Sequence, residues 1–159
     1  MPKTMTKEQI LQAFQNKFQG KIEEIPFVGV DVAFTVEKNL ILKIGRFAKE
    51  TSELSFDLLA CMTCVDYLDR LEIVYNLFSF THRHKIAIKT SLPRDGELDS
   101  VTPIWKAANW HEREIAELFG MKFKNHPDPR PILLPEDWEG GFPMRKDWEG
   151  KDFVRLPKK

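Results

Sequence analysis

Apolar residues recur at helical spacing near the start of the chain, where Ile10, Leu11, Phe14 and Phe18 share one face until Gly20 ends the run. Thr6 and Gln9 stand just ahead at capping-box spacing, so each side chain can satisfy an orphan amide of the first turn. The period then shortens to two. Val30, Val32, Phe34 and Val36 alternate with other residues, Glu37-Lys38-Asn39 reads as a turn, and Leu40 to Ile44 reads as a returning strand. Helical spacing resumes from Phe47 to about Met62, with Phe47, Leu54, Leu58 and Cys61 or Met62 on one side. Leu71 to Phe80 and Lys85 to Ile88 read as strands joined across Thr81-His82-Arg83-His84, and Pro93-Arg94-Asp95-Gly96 is strong turn chemistry. Ser100 is placed to cap a helix carrying Pro103, Ile104 and Trp105, and a last helix runs from Trp110 to Phe119 and stops at Gly120. This order predicts an α+β fold with helices packed on an antiparallel sheet.

Beyond Gly120 neither period survives. Pro127, Pro129, Pro131, Pro135, Pro143 and Pro157 remove amide donors and fix φ, a poor fit to helix or central strand. Disordered tails lack large hydrophobes, yet this one holds Ile132, Leu133, Leu134, Trp138, Phe142, Trp148 and Phe153. The pattern predicts an α+β domain over residues 1–120 and a long extended, proline-rich segment over 121–159. That segment must bury its apolar area on its own domain or on a partner.

Composition narrows the classes of function. Lys and Arg number 24 and Asp and Glu number 24, so no global field favours nucleic acid or anionic lipid. The longest apolar stretch, Leu58 to Val65, falls far short of the ~18 residues of a membrane span. The opening MPKTMTKEQ has no signal-peptide core. These features suggest a cytosolic chain that reaches a membrane only through a partner.

Candidate chemistry is sparse. Cys61-Met62-Thr63-Cys64 is a C-x-x-C pair, but it falls late in an apolar run predicted to be helical, which favours buried thiols acting as small hydrophobes. An iron–sulfur cluster normally takes four cysteines, and a zinc site would need two of His82, His84, His111 and His126 to converge. His111-Glu112-Arg113-Glu114-Ile115 begins like a zinc helix, but Ile115 occupies the second histidine position. Arg113 and Glu117 are spaced to pair along the helix. Trp110, Ile115, Leu118 and Phe119 spread around that helix, so its charges are expected to be paired, either within the chain or across an interface. In His126-Pro127-Asp128-Pro129-Arg130, X-Pro steps hold Asp128 and Arg130 at fixed positions, and an arginine fork suits carboxylates in interfaces. Arg145-Lys146-Asp147 beside Trp138 and Trp148 has the content of a binding hot spot. No nucleophile triad, phosphate loop or acid/base carboxylate pair can be identified.

Three stretches together carry a resemblance: W-H-E-R-E-I-A-E-L-F-G-M from Trp110 to Met121, H-P-D-P-R-P-I-L-L-P from His126 to Pro135, and P-M-R-K-D from Pro143 to Asp147. V-D-Y at Val65 to Tyr67, L-E-I-V-Y-N-L at Leu71 to Leu77 and A-N-W at Ala108 to Trp110 add to it. The combination resembles the signature of the 30-kilodalton subunit family, the C-type subunit of the proton-pumping NADH-quinone oxidoreductase, respiratory complex I. The chain departs from the usual pattern at Glu117, where an aspartate is common, at Pro131, where a second arginine is frequent, and at Phe142, where a histidine is common. Cys61 and Cys64 lie outside the pattern.

The resemblance implies an α+β protein with no cofactor of its own in the hydrophilic arm. Its C-terminal segment would pack along the quinone-site large subunit (the D-type subunit), near the B-type subunit with its iron–sulfur cluster. It implies a peripheral place on the cytoplasmic face of the membrane, held through the complex. Glu112, Arg113 and Glu114, then His126, Asp128 and Arg130, then Arg145, Lys146 and Asp147 become the expected anchors of those contacts, with Trp138 beside them. None is expected to be catalytic. The same core also serves membrane-bound nickel–iron hydrogenases, formate hydrogenlyases and F420H2-type dehydrogenases, which form the nearest alternative. A zinc or thiol-redox enzyme using Cys61, Cys64 and histidines is the alternative from another class.

Overall fold

A computed structural model of the chain describes residues 5–150 and Val154. The first helix, α1 (Lys7–Lys17), starts under the expected capping box: Thr6 Oγ1 accepts from the Gln9 amide at 3.3 Å, and Gln9 Oε1 accepts from the Thr6 amide at 2.9 Å. Its inward residues Ile10 and Phe14 are fully buried, and the Phe14 ring lies 4.9 Å from that of Phe34 and 5.4 Å from that of Phe47. Such tilted and edge-on pairs add to simple area burial.

After β1 (Ile22–Glu24) and β2 (Val32–Val36), the structure departs from the expected hairpin. Lys38–Leu40 is a short 3-10 turn and α2 spans Ile41–Glu50, so Leu40 to Ile44 does not return as a strand. Ile41, Ile44 and Ala48 recur at helical spacing and face the core, a choice that a five-residue apolar run cannot reveal by itself. The expected helix from Phe47 to Met62 is divided as well. It holds the end of α2, a turn around buried Leu54 and Phe56, and the start of β3 (Leu58–Asp66). A bulge between Leu59 and Cys61 shifts the alternation of β3 and gave it a false helical spacing.

The remaining elements are β4 (Arg70–Phe78), β5 (Lys85–Pro93), β6 (Glu97–Asp99), α3 (Ala108–Phe119) and β7 (Lys122–Lys124). The main sheet has the order β1-β2-β5-β4-β3. Every neighbouring pair is antiparallel except β2 and β5, which run parallel because α2 carries the chain across to the far edge. The fold is therefore α+β with a mixed, mostly antiparallel sheet.

One parity of the strands makes the core. Val32 and Phe34, Leu71, Ile73 and Tyr75, and Ile86 and Ile88 join the inward faces of all three helices in one cluster. Each large aliphatic or aromatic side chain so buried stabilises by roughly 1.5–3 kcal/mol. The opposite parity is more polar: Glu72 on β4 pairs with Lys89 on β5 at 2.9 Å, and the Lys89 ammonium stands over the Phe27 ring.

The helix expected around Pro103 is absent. Ile104 and Trp105 close turns on Val101, and the Trp105 indole is drawn into the core, where it donates to Phe56 O. That anchoring delays the helix to Ala108. α3 ends as expected at Gly120, which takes the left-handed conformation at φ 71°. Met121 is buried and β7 pairs in parallel with β6, so residues 121–124 are woven into the domain before the irregular segment begins.

Candidate partner-binding site

The C-terminal segment has no helix or strand after Lys124 among its described residues, yet its backbone is well supplied with partners. Helix α3 provides the first set. The Glu117 carboxylate accepts from three consecutive amides, those of Ile132, Leu133 and Leu134, at 3.1, 2.7 and 3.2 Å. One turn earlier, the Arg113 guanidinium donates to the carbonyls of Arg130 and Pro131 at 2.6 and 3.2 Å and lies over the Trp110 ring. The pairing expected between Arg113 and Glu117 is thus replaced: both side chains grip the segment that passes over them.

A second set of bonds closes the far end. Asp66 is buried at the end of β3, where its carboxylate accepts from the Leu68 amide, the Lys146 amide and the Arg94 guanidinium. Arg94, in the turn after β5, also grips both oxygens of Asp147, which holds that carboxyl down to about 2. Arg145 donates to Phe119 O at 2.7 Å and to Arg94 O at 3.0 Å, with its guanidinium over the Phe142 ring. The Lys146 ammonium lies 5.9 Å from the Tyr67 ring. Arg145, Lys146 and Asp147 therefore fasten the segment to its own domain through V-D-Y and the β5 turn. Glu117, expected to pair with Arg113, instead accepts from the amides of residues 132–134. Asp66 and Arg94 are anchors of the segment that the sequence reading did not single out. Their signal was present in V-D-Y and in the turn Pro93–Gly96, read there as turn chemistry alone.

The remaining predicted residues divide between interior and surface. Glu112 is fully buried; its Oε1 accepts from the Val101 amide at 2.7 Å, and its Oε2 lies 3.7 Å from His126 Nε2. His126, with a side chain only 2% exposed, accepts from the Asp128 amide through Nδ1. Asp128 and Arg130 form a two-bond pair at 2.7 and 2.9 Å, with the Arg130 side chain 78% exposed. Glu114 is half-buried on α3 and has no ion pair among the described residues. Trp138 donates to Gly141 O and stacks against Trp148, with ring centroids 6.4 Å apart.

Around these fixed points a set of large apolar side chains stays open to solvent: Trp110 at 64%, Leu133 at 60%, Met144 at 55%, and Phe142 and Trp138 near 39%. Glu136, Asp137 and Glu139 are exposed beside them. The geometry is a tethered, partly apolar surface with acidic residues beside it.

Cys61 and Cys64 sit on β3, not in a helix, and their odd spacing turns them to opposite faces. Cys61 is exposed; Cys64 is buried, and burial together with nearby Asp66 pushes its thiol up to about 12. Both features oppose a paired dithiol. Among the described residues no three His, Cys, Asp or Glu side chains are grouped to hold a metal, and no helix is long and apolar enough to cross a membrane.

The C-type subunit of the NADH-quinone oxidoreductase of Geobacter metallireducens is 38% identical to this chain over 150 residues, covering 91% of each chain. The protein of the same name from Chloroherpeton thalassium is also 38% identical, but this chain spans only 65% of its length. The C-type subunit of the F(420)H(2) dehydrogenase of Methanosarcina mazei is 38% identical over 89% of this chain and 90% of its own. Among solved structures, a chain of the membrane-bound sulfane sulfur reductase, an archaeal respiratory membrane complex, superposes with a TM-score of 0.78 at 27% identity, covering 89% of this chain and 85% of that one. The family described as the respiratory-chain NADH dehydrogenase 30 Kd subunit matches residues 34–154, and the chain belongs to that family.

Proposed function

We propose that this chain is a structural subunit of the hydrophilic arm of an NADH-quinone oxidoreductase, without a cofactor or active site of its own. It braces the quinone-site large subunit against the iron–sulfur subunit of the B type on the cytoplasmic face of the membrane. Electron transfer to quinone and the coupled proton translocation belong to the assembly. The observation that carries the reading is the tethered segment: Glu117 and Arg113 hold its backbone and Arg94 holds its Asp147 side chain, while Trp110, Leu133, Trp138 and Met144 face outward. Free apolar patches of this kind mark docking surfaces.

In this reading Trp138, Glu114 and the Asp128–Arg130 pair meet the partner directly. Arg113, Arg145, Lys146 and Asp147 set the posture of the segment, and Glu112 with His126 sets the loop that carries Asp128. The irregular segment after Lys124 is the partner-binding unit, and the domain up to and including β7 is its base.

The test is affinity purification of the tagged chain from gently solubilised native membranes, with co-purifying chains identified by mass spectrometry. A quinone-site subunit, iron–sulfur subunits and antiporter-like membrane subunits are expected. Recovery of the chain alone would overturn the reading. The equal identity to an F(420)H(2) dehydrogenase component supports a second reading, the same brace in a complex with another donor or acceptor. A large subunit with metal-ligating cysteine pairs would assign the chain to a hydrogenase-type assembly.

A further inference from the structure

Three carboxylates are buried among the described residues, and two of them are fully engaged. Asp66 accepts from Arg94 and two amides, and Glu72 is paired with Lys89. Glu112 differs. It is completely buried, only its Oε1 is bonded, and Oε2 has no hydrogen-bond partner. A buried carboxylate oxygen without a donor is costly when charged, and a proton removes that cost.

The groups around it are well defined. From the loop after β6 come the Val101 amide and the Ser100 hydroxyl, the latter also shared with Thr102. From β4 comes Tyr75, whose buried hydroxyl is unpartnered and whose ionisation the nearby Glu112 opposes. On β3 the buried ionisable groups are Cys64 and Asp66, the second already taken by Arg94. Arg113, next along α3, is turned to the carbonyls of Arg130 and Pro131, and Lys122 on β7 is exposed. From the loop after β7 comes His126, while Asp128 in that loop faces Arg130 and Arg113.

His126 is the responsive element. Its Nδ1 accepts from the Asp128 amide at 3.1 Å, so the neutral ring carries its proton on Nε2. That single N–H lies 3.2 Å from Asn109 O and 3.7 Å from Glu112 Oε2. One donor thus faces two acceptors.

We propose that Glu112 is the binding site for one exchangeable proton, and that its occupancy sets where the His126 ring and the 126–130 loop are held. With the proton on Oε2, the carboxyl is neutral and His126 Nε2–H stays on Asn109 O. When the proton leaves to solvent, the carboxylate draws Nε2–H toward Oε2, the bond to Asn109 lengthens, and the loop bearing Asp128 and Arg130 is re-seated. A cavity of about 290 Å³ gives the ring room for that move; Glu112, His126, Met121 and Phe123 line it, and Arg113 and Lys122 also stand on its wall. Burial raises the Glu112 carboxyl to about 7, against the pull of Ser100 and Val101, so both states are populated near neutral pH. The inference is independent of which complex the chain joins.

The experiment is nuclear magnetic resonance on the full chain, with carbon-labelled glutamate and nitrogen-labelled histidine and backbone, titrated through neutral pH. Glu112→Gln assigns the carboxyl signal and keeps an acceptor for the Val101 amide. The expected result is a Glu112 transition near pH 7, with the His126 ring nitrogens and the Asp128 amide shifting at the same midpoint. In Glu112→Gln that shared transition disappears. In His126→Asn the Glu112 carboxyl still titrates while the Asp128 amide no longer follows it, a check that stands even if the first variant fails to fold. Titration of Glu112 near the ordinary value of about 4.3 would overturn the proposal. So would a Glu112 transition that leaves His126 and Asp128 unmoved.

Discussion

The Phe142 ring lies 2.5 Å from the point that a Cβ on Gly120 would occupy, so the C-terminal segment closes over a helix end that only glycine leaves open. Gly120 serves two constraints at once, a left-handed φ of 71° and this close approach. Gly120→Ala should cost about 1–2 kcal/mol for the backbone alone, and more because Phe142 must move. Gly141 is the matched control. It has φ 76°, but its nearest neighbour to an added Cβ is Trp148 at 3.8 Å, an ordinary contact. Thermal unfolding of the two alanine variants should place Gly120→Ala clearly below Gly141→Ala. Equal melting temperatures would mean that the ring contact contributes nothing.

Glu117 sets the next expectation. Removing its carboxylate by Glu117→Ala leaves the amides of Ile132, Leu133 and Leu134 without their acceptor. Bonds to a charged acceptor contribute about 1.5–3 kcal/mol each when buried, and less at this half-exposed position. Hydrogen exchange should accelerate at those three amides and stay unchanged in β4 and β5. Acceleration spread evenly over the whole chain would point to general destabilisation instead.

Asp147 makes the fastening of the segment acid-sensitive. Its carboxyl is lowered to about 2, first by the bond to Arg94. A depressed carboxyl stabilises the attached state above the free value of about 3.9, and that contribution is lost as pH falls toward 2. Fluorescence of Trp148, the next residue, should report detachment over this window. In Asp147→Asn the change should be absent or already complete at neutral pH.

His84 works in the same direction at higher pH. It is buried against His82, with ring centroids 5.9 Å apart, and its Nε2 has no partner. Burial lowers its pKa, opposed by Asp31 and aided by His82. The fold therefore prefers the neutral ring: stability is full above the unfolded value of about 6.5 and declines as pH drops below it. The urea midpoint should fall on acidification through this range, and His84→Asn should flatten the decline.

Outward-facing residues should separate assembly from stability. Leu133→Asp and Met144→Asp alter exposed side chains, so melting temperatures should hold within a few degrees. Recovery of the complex should drop by about tenfold or more for either, the loss of a hot-spot contact of ~2 kcal/mol. Full recovery of both variants would remove this face from the docking surface.

Where the sequence was readable, local chemistry and tertiary packing agreed. The Thr6–Gln9 box, the strand around Phe34, the turn at Pro93–Gly96 and the stop at Gly120 all stand as expected. Errors arose where a short apolar run suited both periods. Leu40 to Ile44 became helix because Ile41, Ile44 and Ala48 meet the core together, and the bulge in β3 disguised a strand around Cys61. The parallel pairing of β2 with β5 depends on where α2 delivers the chain, which no local pattern encodes. Motif residues were legible as a set, but their partners were not. Asp66 and Lys146 meet across 80 positions of sequence, a relation that periodicity cannot carry.

The grips of Glu117, Arg113 and Arg94 bear on when entropy is lost. Fixing an irregular backbone costs roughly 1–2 kcal/mol per residue, a charge that chains which fold on binding meet at the moment of association. Here the ordering from Arg130 to Asp147 is completed within the folded chain. A partner therefore meets a preformed relief and not a searching coil. Its association rate should follow orientation and electrostatic steering, with no slow step for ordering the segment.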